Sequence, residues 1–320
     1  MTNLKKVGLT ALAGTLATIV SAQAGEVSVS GTAQMTYGTN TVTTSSTGDN
    51  GTDSFAVNTS LSFSGSGEMD NGNVVSISSN LTGGSQTVGN MKLDMGDMGT
   101  ISMDTGSDLT GLPAYQDKVP NAGEQVWDDT GATDHGTPAQ GIVNPRANNT
   151  IEESLGYKVS ANGFTLSAHT SFGDGDGSEQ SAVIVMDGLV EGLTVGAGMG
   201  NDQTSATNDN DLETYFVTYT TGGFTFGAQN SKVEAQAANS DITRDAYGVS
   251  FAVNENLSVS YGISDTEFDA ASSDEENSGI SVSYTAGGMT MGIVSNSQDN
   301  NGGTAGADAE NLELKLTFAF

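Results

Sequence analysis

After residue 25 the apolar residues recur with a period of two, and this continues to the end of the chain. Leu257, Val259, Tyr261 and Ile263 interleave with Ser258, Ser260, Gly262 and Ser264. Tyr247, Val249, Phe251 and Val253 interleave with Ala246, Gly248, Ser250 and Ala252. Leu312, Leu314, Leu316, Phe318 and Phe320 interleave with Glu313, Lys315, Thr317 and Ala319. A β-strand turns successive side chains to opposite faces, so each segment has one apolar face and one small or polar face. No segment after residue 25 sustains a helical period. The pattern predicts sixteen strands: 26–38, 54–66, 73–81, 90–96, 99–105, 150–160, 164–173, 181–187, 192–200, 212–220, 224–233, 243–253, 257–266, 278–285, 289–296 and 310–320. Three of these, 90–96, 99–105 and 181–187, are short and weakly patterned.

A soluble sandwich and a barrel in lipid both produce such alternation; the connections separate them. Short Gly- and Asn-rich linkers at 67–72, 97–99, 161–163, 188–192, 221–223, 254–256 and 286–288 have hairpin character. Between them lie longer polar linkers at 39–53, 82–89, 106–149, 174–180, 201–211, 234–242, 267–277 and 297–309. Tight turns at one end and long loops at the other describe an all-β, transmembrane, antiparallel up-and-down β-barrel. No later segment has the run of about 18 apolar residues that a membrane helix needs, but a closed barrel satisfies its backbone without one. Composition alone, 35% hydrophobic with net charge −30, sits near the disordered class. A barrel resolves this, because lipid covers one face, water the other, and closure leaves no raw edge.

The first segment has a different role. Lys5 and Lys6, an apolar stretch over 7–20 and the small-residue site Ala22-Gln23-Ala24 form a secretory signal peptide over 1–24, leaving 25–320 as the barrel domain. Without Lys5 and Lys6, seven cationic residues remain against 39 acidic ones. Such acidity argues against nucleic acid as a partner. The absence of Cys removes disulfides and thiolate sites, and two histidines offer little for a metal centre or triad. There is no phosphate loop and no hydrolase elbow, so no enzyme is expected.

The opening strand Glu26-Val-Ser-Val-Ser-Gly31 with Met35 and Tyr37, the GTISMDTG stretch at 99–106 and the closing Leu312-Glu-Leu-Lys-Leu-Thr-Phe-Ala-Phe320 resemble the general bacterial porins, in particular the sixteen-stranded alphaproteobacterial type. The resemblance implies passive diffusion of small hydrophilic solutes and ions, in the outer membrane of a Gram-negative bacterium and with no cofactor. It implies a homotrimer among outer-membrane lipid and lipopolysaccharide. It also implies that Phe320 is read by the outer-membrane insertion machinery.

The resemblance further implies that the third long linker, 106–149, folds into the channel as a constriction loop. That linker holds all four prolines, the single Trp127 and the acidic residues Asp108, Asp117, Glu124, Asp128, Asp129 and Asp134. In the family such acids face a basic wall. Strand parity puts Lys92 and Lys158 on the inner face, and Arg146 lies near the loop's end; these three are the candidate basic wall. His169, Glu313 and Lys315 share inner-face parity. The family's dense arginine cluster is absent, which favours a negative pore with cation preference. Glu153 falls on the apolar face and suits a rim or subunit interface. Asp174-Gly-Asp-Gly177 with Glu179 lacks the ligand spacing of a calcium hand, so any Ca²⁺ at the acidic loops would be loosely bound. Two other readings stay open: a substrate-selective channel of the same fold, and a secreted acidic β-rich surface or adhesion protein.

Overall fold

The computed structural model describes residues 27–44, 48–83, 85–105, 110–125, 127, 153–172, 178–205 and 208–320. Sixteen strands run in sequence: β1 (Val27–Thr44), β2 (Gly48–Glu68), β3 (Val74–Thr82), β4 (Ser85–Asp94), β5 (Thr100–Thr105), β6 (Glu153–Ala161), β7 (Phe164–Phe172) and β8 (Ser178–Asp187). They continue as β9 (Leu193–Ser205), β10 (Asn208–Thr221), β11 (Phe224–Glu234), β12 (Ile242–Ala252), β13 (Leu257–Phe268), β14 (Glu275–Ala286), β15 (Met289–Asp299) and β16 (Asp308–Ala319). Each pairs antiparallel with its chain neighbours, and β1 pairs with β16, closing the barrel. The seam carries cross-strand apolar pairs, Met35 with Leu316 and Tyr37 with Leu314. At its end, the Gly31 N–H donates to the Phe320 carbonyl at 2.8 Å and the Phe320 N–H donates back at 3.0 Å. The Phe320 ring lies against Gly31, where a side chain would collide with it and press on Leu61.

The apolar side chains lie outside. Phe55 is 67% exposed, Ile280 54% and Tyr247 50%, and Met35, Ile77, Leu155, Ile184, Tyr215, Phe226, Tyr261, Ile293 and Leu314 share that outer surface. The residues between them point inward. A soluble monomer does not tolerate an apolar surface of this extent, whereas a barrel in hydrocarbon requires it.

The strand limits correct the expected linkers. The stretches 39–53, 82–89 and 201–211, expected as long loops, are mostly strand: β1 reaches Thr44 and β2 begins at Gly48, β4 begins at Ser85, and β9 and β10 end and begin at Ser205 and Asn208. These hairpins are rich in Thr, Asn, Ser and Asp and continue the backbone ladder past the apolar zone. A strand that runs past the hydrocarbon needs no apolar face, so the alternation that marks it is lost while its hydrogen bonds persist. The asymmetry between the barrel ends is therefore carried by overhanging hairpins as well as loop length. The outer connections at 235–241, 269–274 and 300–307 remain true loops, and the inner ones shrink to two residues at 162–163, 222–223 and 287–288.

The segment 181–187 has its own physical reason for weak patterning. β8 is apolar on both faces: Ile184 and Met186 face out, while Val183 and Val185 are buried inside the barrel. What buries them is the chain between β5 and β6.

Candidate functional site

That connection spans 106–152, and its described part, 110–125 with Trp127, lies inside the barrel along the wall. Its course is fixed by backbone N–H groups donating to inward wall side chains. Gly111 donates to Ser167 Oγ and Leu112 to Ser181 Oγ, both at 3.0 Å. Lys118 donates to Gln229 Oε1 at 2.7 Å, and Ala122 to Ser260 Oγ at 2.9 Å. Gln229 returns a bond from Nε2 to the Tyr115 carbonyl at 2.9 Å. The loop thus passes β7, β8, β11 and β13 in turn, each supplying a small polar group that satisfies loop backbone kept from water.

Apolar contacts and glycines complete the seat. Leu112, fully buried at the start of a single 3₁₀ turn (Leu112–Tyr115), packs with Val183, Val185, Leu212 and Phe216. Tyr115 stacks on Phe216 with ring centroids 5.8 Å apart. Farther along, Val119 and Trp127 bury against Ala246. Inward glycines on the wall leave the required space. A Cβ on Gly198 would stand 2.6 Å from Leu112 Cδ2, and one on Gly156, Gly227 or Gly248 would strike Thr110, Pro120 or Val119.

The charges follow this path. Glu124 forms an ion pair with Lys315 of β16, and Lys315 also reaches Glu313 at 3.1 Å. Arg244 of β12 is 3% exposed. Its guanidinium sits 5.4 Å from the Trp127 ring centre, donates from Nε to Thr266 Oγ1 at 2.9 Å and lies 3.7 Å from Glu275. Asp117 keeps a solvent-exposed edge but is crowded by loop and wall; this burial holds its carboxyl above the usual range, against the opposing pull of Arg244, Lys118 and the Trp127 N–H. Burial also lowers the neighbouring Lys118, with Asp117 resisting and Lys158 adding to the fall. Lys118 Nζ rests 4.8 Å over the Tyr115 ring centre. At the loop's root, Thr110 Oγ1 lies 3.5 Å from His169 Nδ1, and His169 Nε2 lies 3.7 Å from Glu179.

Of the acidic candidates, the structure places Asp117 and Glu124 inside the barrel, whereas Asp108, Asp128, Asp129 and Asp134 lie outside the described residues. Of the basic candidates, Lys92 and Lys158 are on the inner face, and Arg146 lies outside the described residues. So do the leader 1–24 and the Asp174-Gly-Asp-Gly177 run. Glu153 opens β6 at the outer end, paired with Thr105 and Phe172. Among the described residues no group of three His, Asp or Glu is placed to hold a metal ion. Sequence reasoning missed Arg244, Lys118 and the pairing of Glu124 with Lys315. It also missed the glycines at inward positions, although their parity at 156, 198, 227 and 248 marked where something would press on the wall.

Comparison with solved structures gives the same fold throughout. A porin refined at 1.8 Å resolution superposes with a TM-score of 0.62 at 20% identity, covering 92% of this chain and 100% of that one. An anion-selective porin from Comamonas acidovorans gives 0.64 at 14% identity, and a triple mutant of the Rhodopseudomonas blastica porin 0.63 at 14%, with the same coverage. No curated protein matches by sequence. The family model described as Gram-negative porin matches residues 8–301. With the closed sixteen-stranded barrel and its infolded loop, that match makes this chain a member of the Gram-negative porin family, an outer-membrane channel for passive diffusion.

Proposed function

We propose that the channel passes small hydrophilic solutes and ions with a preference for cations, and that 106–149 acts as its constriction loop with Asp117 and Glu124 at the narrows. The observation that carries the preference is the charge ledger. Seven cations stand against 39 acids in the chain beyond residue 24, and Arg244, Lys315 and Lys232 are each engaged by carboxylates. The Comamonas acidovorans porin is anion-selective on the same fold, so the sign of selectivity follows the charges and not the barrel. Reversal potentials across a planar bilayer in a KCl gradient test the reading: a cation-selective sign supports it, and an anion-selective sign overturns it.

We further propose that the protein leaves the cytoplasm by cleavage after Ala24, that Phe320 marks the closing strand for insertion, and that it assembles as a trimer beside lipopolysaccharide. The trimer reading is supported by a gap in the aromatic girdle. Tyr215, Tyr219, Phe224, Phe226, Tyr247, Tyr261 and Tyr284 line the outside of β10–β14, whereas no aromatic residue occurs from 74 to 105, where β5 is only six residues long. Aromatic belts mark surfaces that meet the membrane interface, and a low, aromatic-free wall is better covered by protein. Replacing Met91 and Met103 there by Arg should yield monomers in mild detergent, while the same change at Tyr247 and Tyr261 should leave the trimer intact. Equal effects at both places would reject the assignment.

A further inference from the structure

The connection between β15 and β16, residues 300–307, is an outer loop whose shape is set by its own sequence. Asn300, Gly302, Gly303 and Gly306 all take left-handed backbone angles, with φ between 55° and 75°. The Asn300 N–H donates to Asp308 Oδ1 at 3.1 Å, the Gly306 N–H to Asn300 Oδ1 at 3.0 Å, and the Asn301 N–H to the Ala307 carbonyl at 2.7 Å. The loop so formed sits on the neighbouring connection between β13 and β14. Asn300 Nδ2 donates to the Asp274 carbonyl at 3.1 Å. Gly303 is buried there, and a Cβ on it would stand 2.2 Å from Ala271 Cβ.

From this seat a line of contacts descends into the barrel. The Gly302 N–H donates to Glu275 Oε2 at 2.9 Å. The other oxygen of Glu275 accepts from Asn277 Nδ2 at 2.9 Å and lies 3.7 Å from Arg244 Nη2. Arg244, Thr266 and Glu275 occupy one register row across β12, β13 and β14. Arg244 is hydrogen-bonded to Thr266 and faces the Trp127 ring of the infolded loop. Trp127 in turn buries with Val119, whose carbonyl accepts from Gln125 Nε2 at 2.8 Å. A carboxylate as enclosed as Glu275 is held by its protein donors, because bulk water does not reach it to replace one. Loss of the Gly302 N–H therefore lets Glu275 turn, and the guanidinium beside it follows.

We propose that Glu275 and Arg244 link the surface loop 300–307 to the infolded loop at 118–127, so that lifting the first loosens the second. Both are positioning residues. The stretch around Leu112 is anchored separately on β8 and β10, so the link acts on 118–127 alone. Contact at the cell surface would thereby change the narrows, a consequence that rests on the reading of 106–149 as the constriction loop. One hydrogen bond to a charged group shifts such a docking equilibrium about tenfold.

The test uses the full protein with residues 302–305 deleted, which removes the Gly302 donor and leaves both charged residues in place. Retained heat-modifiable gel mobility shows that the barrel is closed. Trp127 is the only tryptophan in the chain, so its fluorescence in detergent micelles reports the end of the link without background. In the variant its emission should shift to the red, and acrylamide should quench it more strongly. Amides of 118–125 should exchange about tenfold faster, whereas those of 111–116 and of β13 keep wild-type rates. Gly303→Ala, which drives a methyl group into Ala271, should move Trp127 the same way, and Gly303→Ala/Ala271→Gly should bring it back toward the wild type; this pair decides if the deletion prevents folding. Asn201→Ala, which breaks a hydrogen bond to Asp209 at the end of the β9–β10 hairpin, should leave Trp127 unchanged. Wild-type emission and exchange in a folded variant, or equal acceleration of 111–116 and 118–125, overturns the link. If Trp127 loosens while neither the deletion nor Leu112→Ala alters the single-channel current, the link stands and the constriction reading falls.

Discussion

Leu112 is the residue on which the infolded loop depends most. It is fully buried against Val183, Val185, Leu212 and Phe216, and none of these contacts belongs to the barrel's own hydrogen-bonded ladder. Leu→Ala at a site this enclosed costs about 2–5 kcal/mol, the spread reflecting how far the cavity collapses. Four loop N–H groups donate to Ser167, Ser181, Gln229 and Ser260. Each is worth about 0.5–1.5 kcal/mol net, so their sum is of the same order as the single leucine. A loss of about 3 kcal/mol lowers the docked-to-undocked ratio roughly 150-fold. Leu112→Ala should therefore release the loop without opening the barrel. Hydrogen exchange followed by mass spectrometry in detergent micelles reads this directly. Peptides covering 111–122 should exchange about a hundredfold faster at their most protected amides, while peptides from β13 and β14 keep wild-type rates. Single-channel conductance should rise or become noisy as the narrows widen. Unchanged exchange over 111–122, or equal acceleration in β13 and β14, would refute the separation of loop docking from barrel stability.

Arg244→Ala leaves Glu275, 1% exposed, as a buried charge without its nearest cation. It should destabilise the barrel by about 3–5 kcal/mol, seen as a lower midpoint of heat-modifiable unfolding, and Arg244→Ala/Glu275→Gln should recover much of the loss. Asp117 titrates above the usual carboxylate range because burial disfavours its charge. The fold thus favours its protonated form, so acidification removes this charge early and relieves strain instead of adding it. Cation preference should begin to fall at a pH above the ordinary carboxylate range, and Asp117→Asn should erase that early limb of the reversal-potential profile.

The barrel was legible because hydrocarbon enforces alternation, and the sixteen expected strands are the sixteen observed. It became illegible toward the ends of β1 and β2, where Thr, Ser, Asn and Asp replace the alternating apolar residues. β8 misled for the opposite reason, since Val183 and Val185 are apolar toward a loop that local sequence does not reveal. The inner face was partly readable. Parity placed Lys92 and Lys158 on it, but it could not show that Lys315 meets Glu124 or that Arg244 stacks on Trp127. Those contacts depend on the path of a loop without periodicity, and that path is set by wall residues over a hundred positions away. The serines that accept its N–H groups look like any other serine on a polar face. Only the inward glycines carried a hint, since a lumen position without a side chain suits a wall pressed by something else.

The channel requires its outer side chains to meet lipid and its inner ones to meet water. The chain lacks cysteine, so single cysteines along β2 read this without background. A membrane-impermeant thiol reagent applied to the reconstituted channel should modify cysteine at Asn58, Ser60 and Ser62 and reduce the current at each, while cysteine at Val57 and Leu61 stays unmodified. Rapid modification at Val57 and Leu61 with protection at Asn58, Ser60 and Ser62 would contradict it.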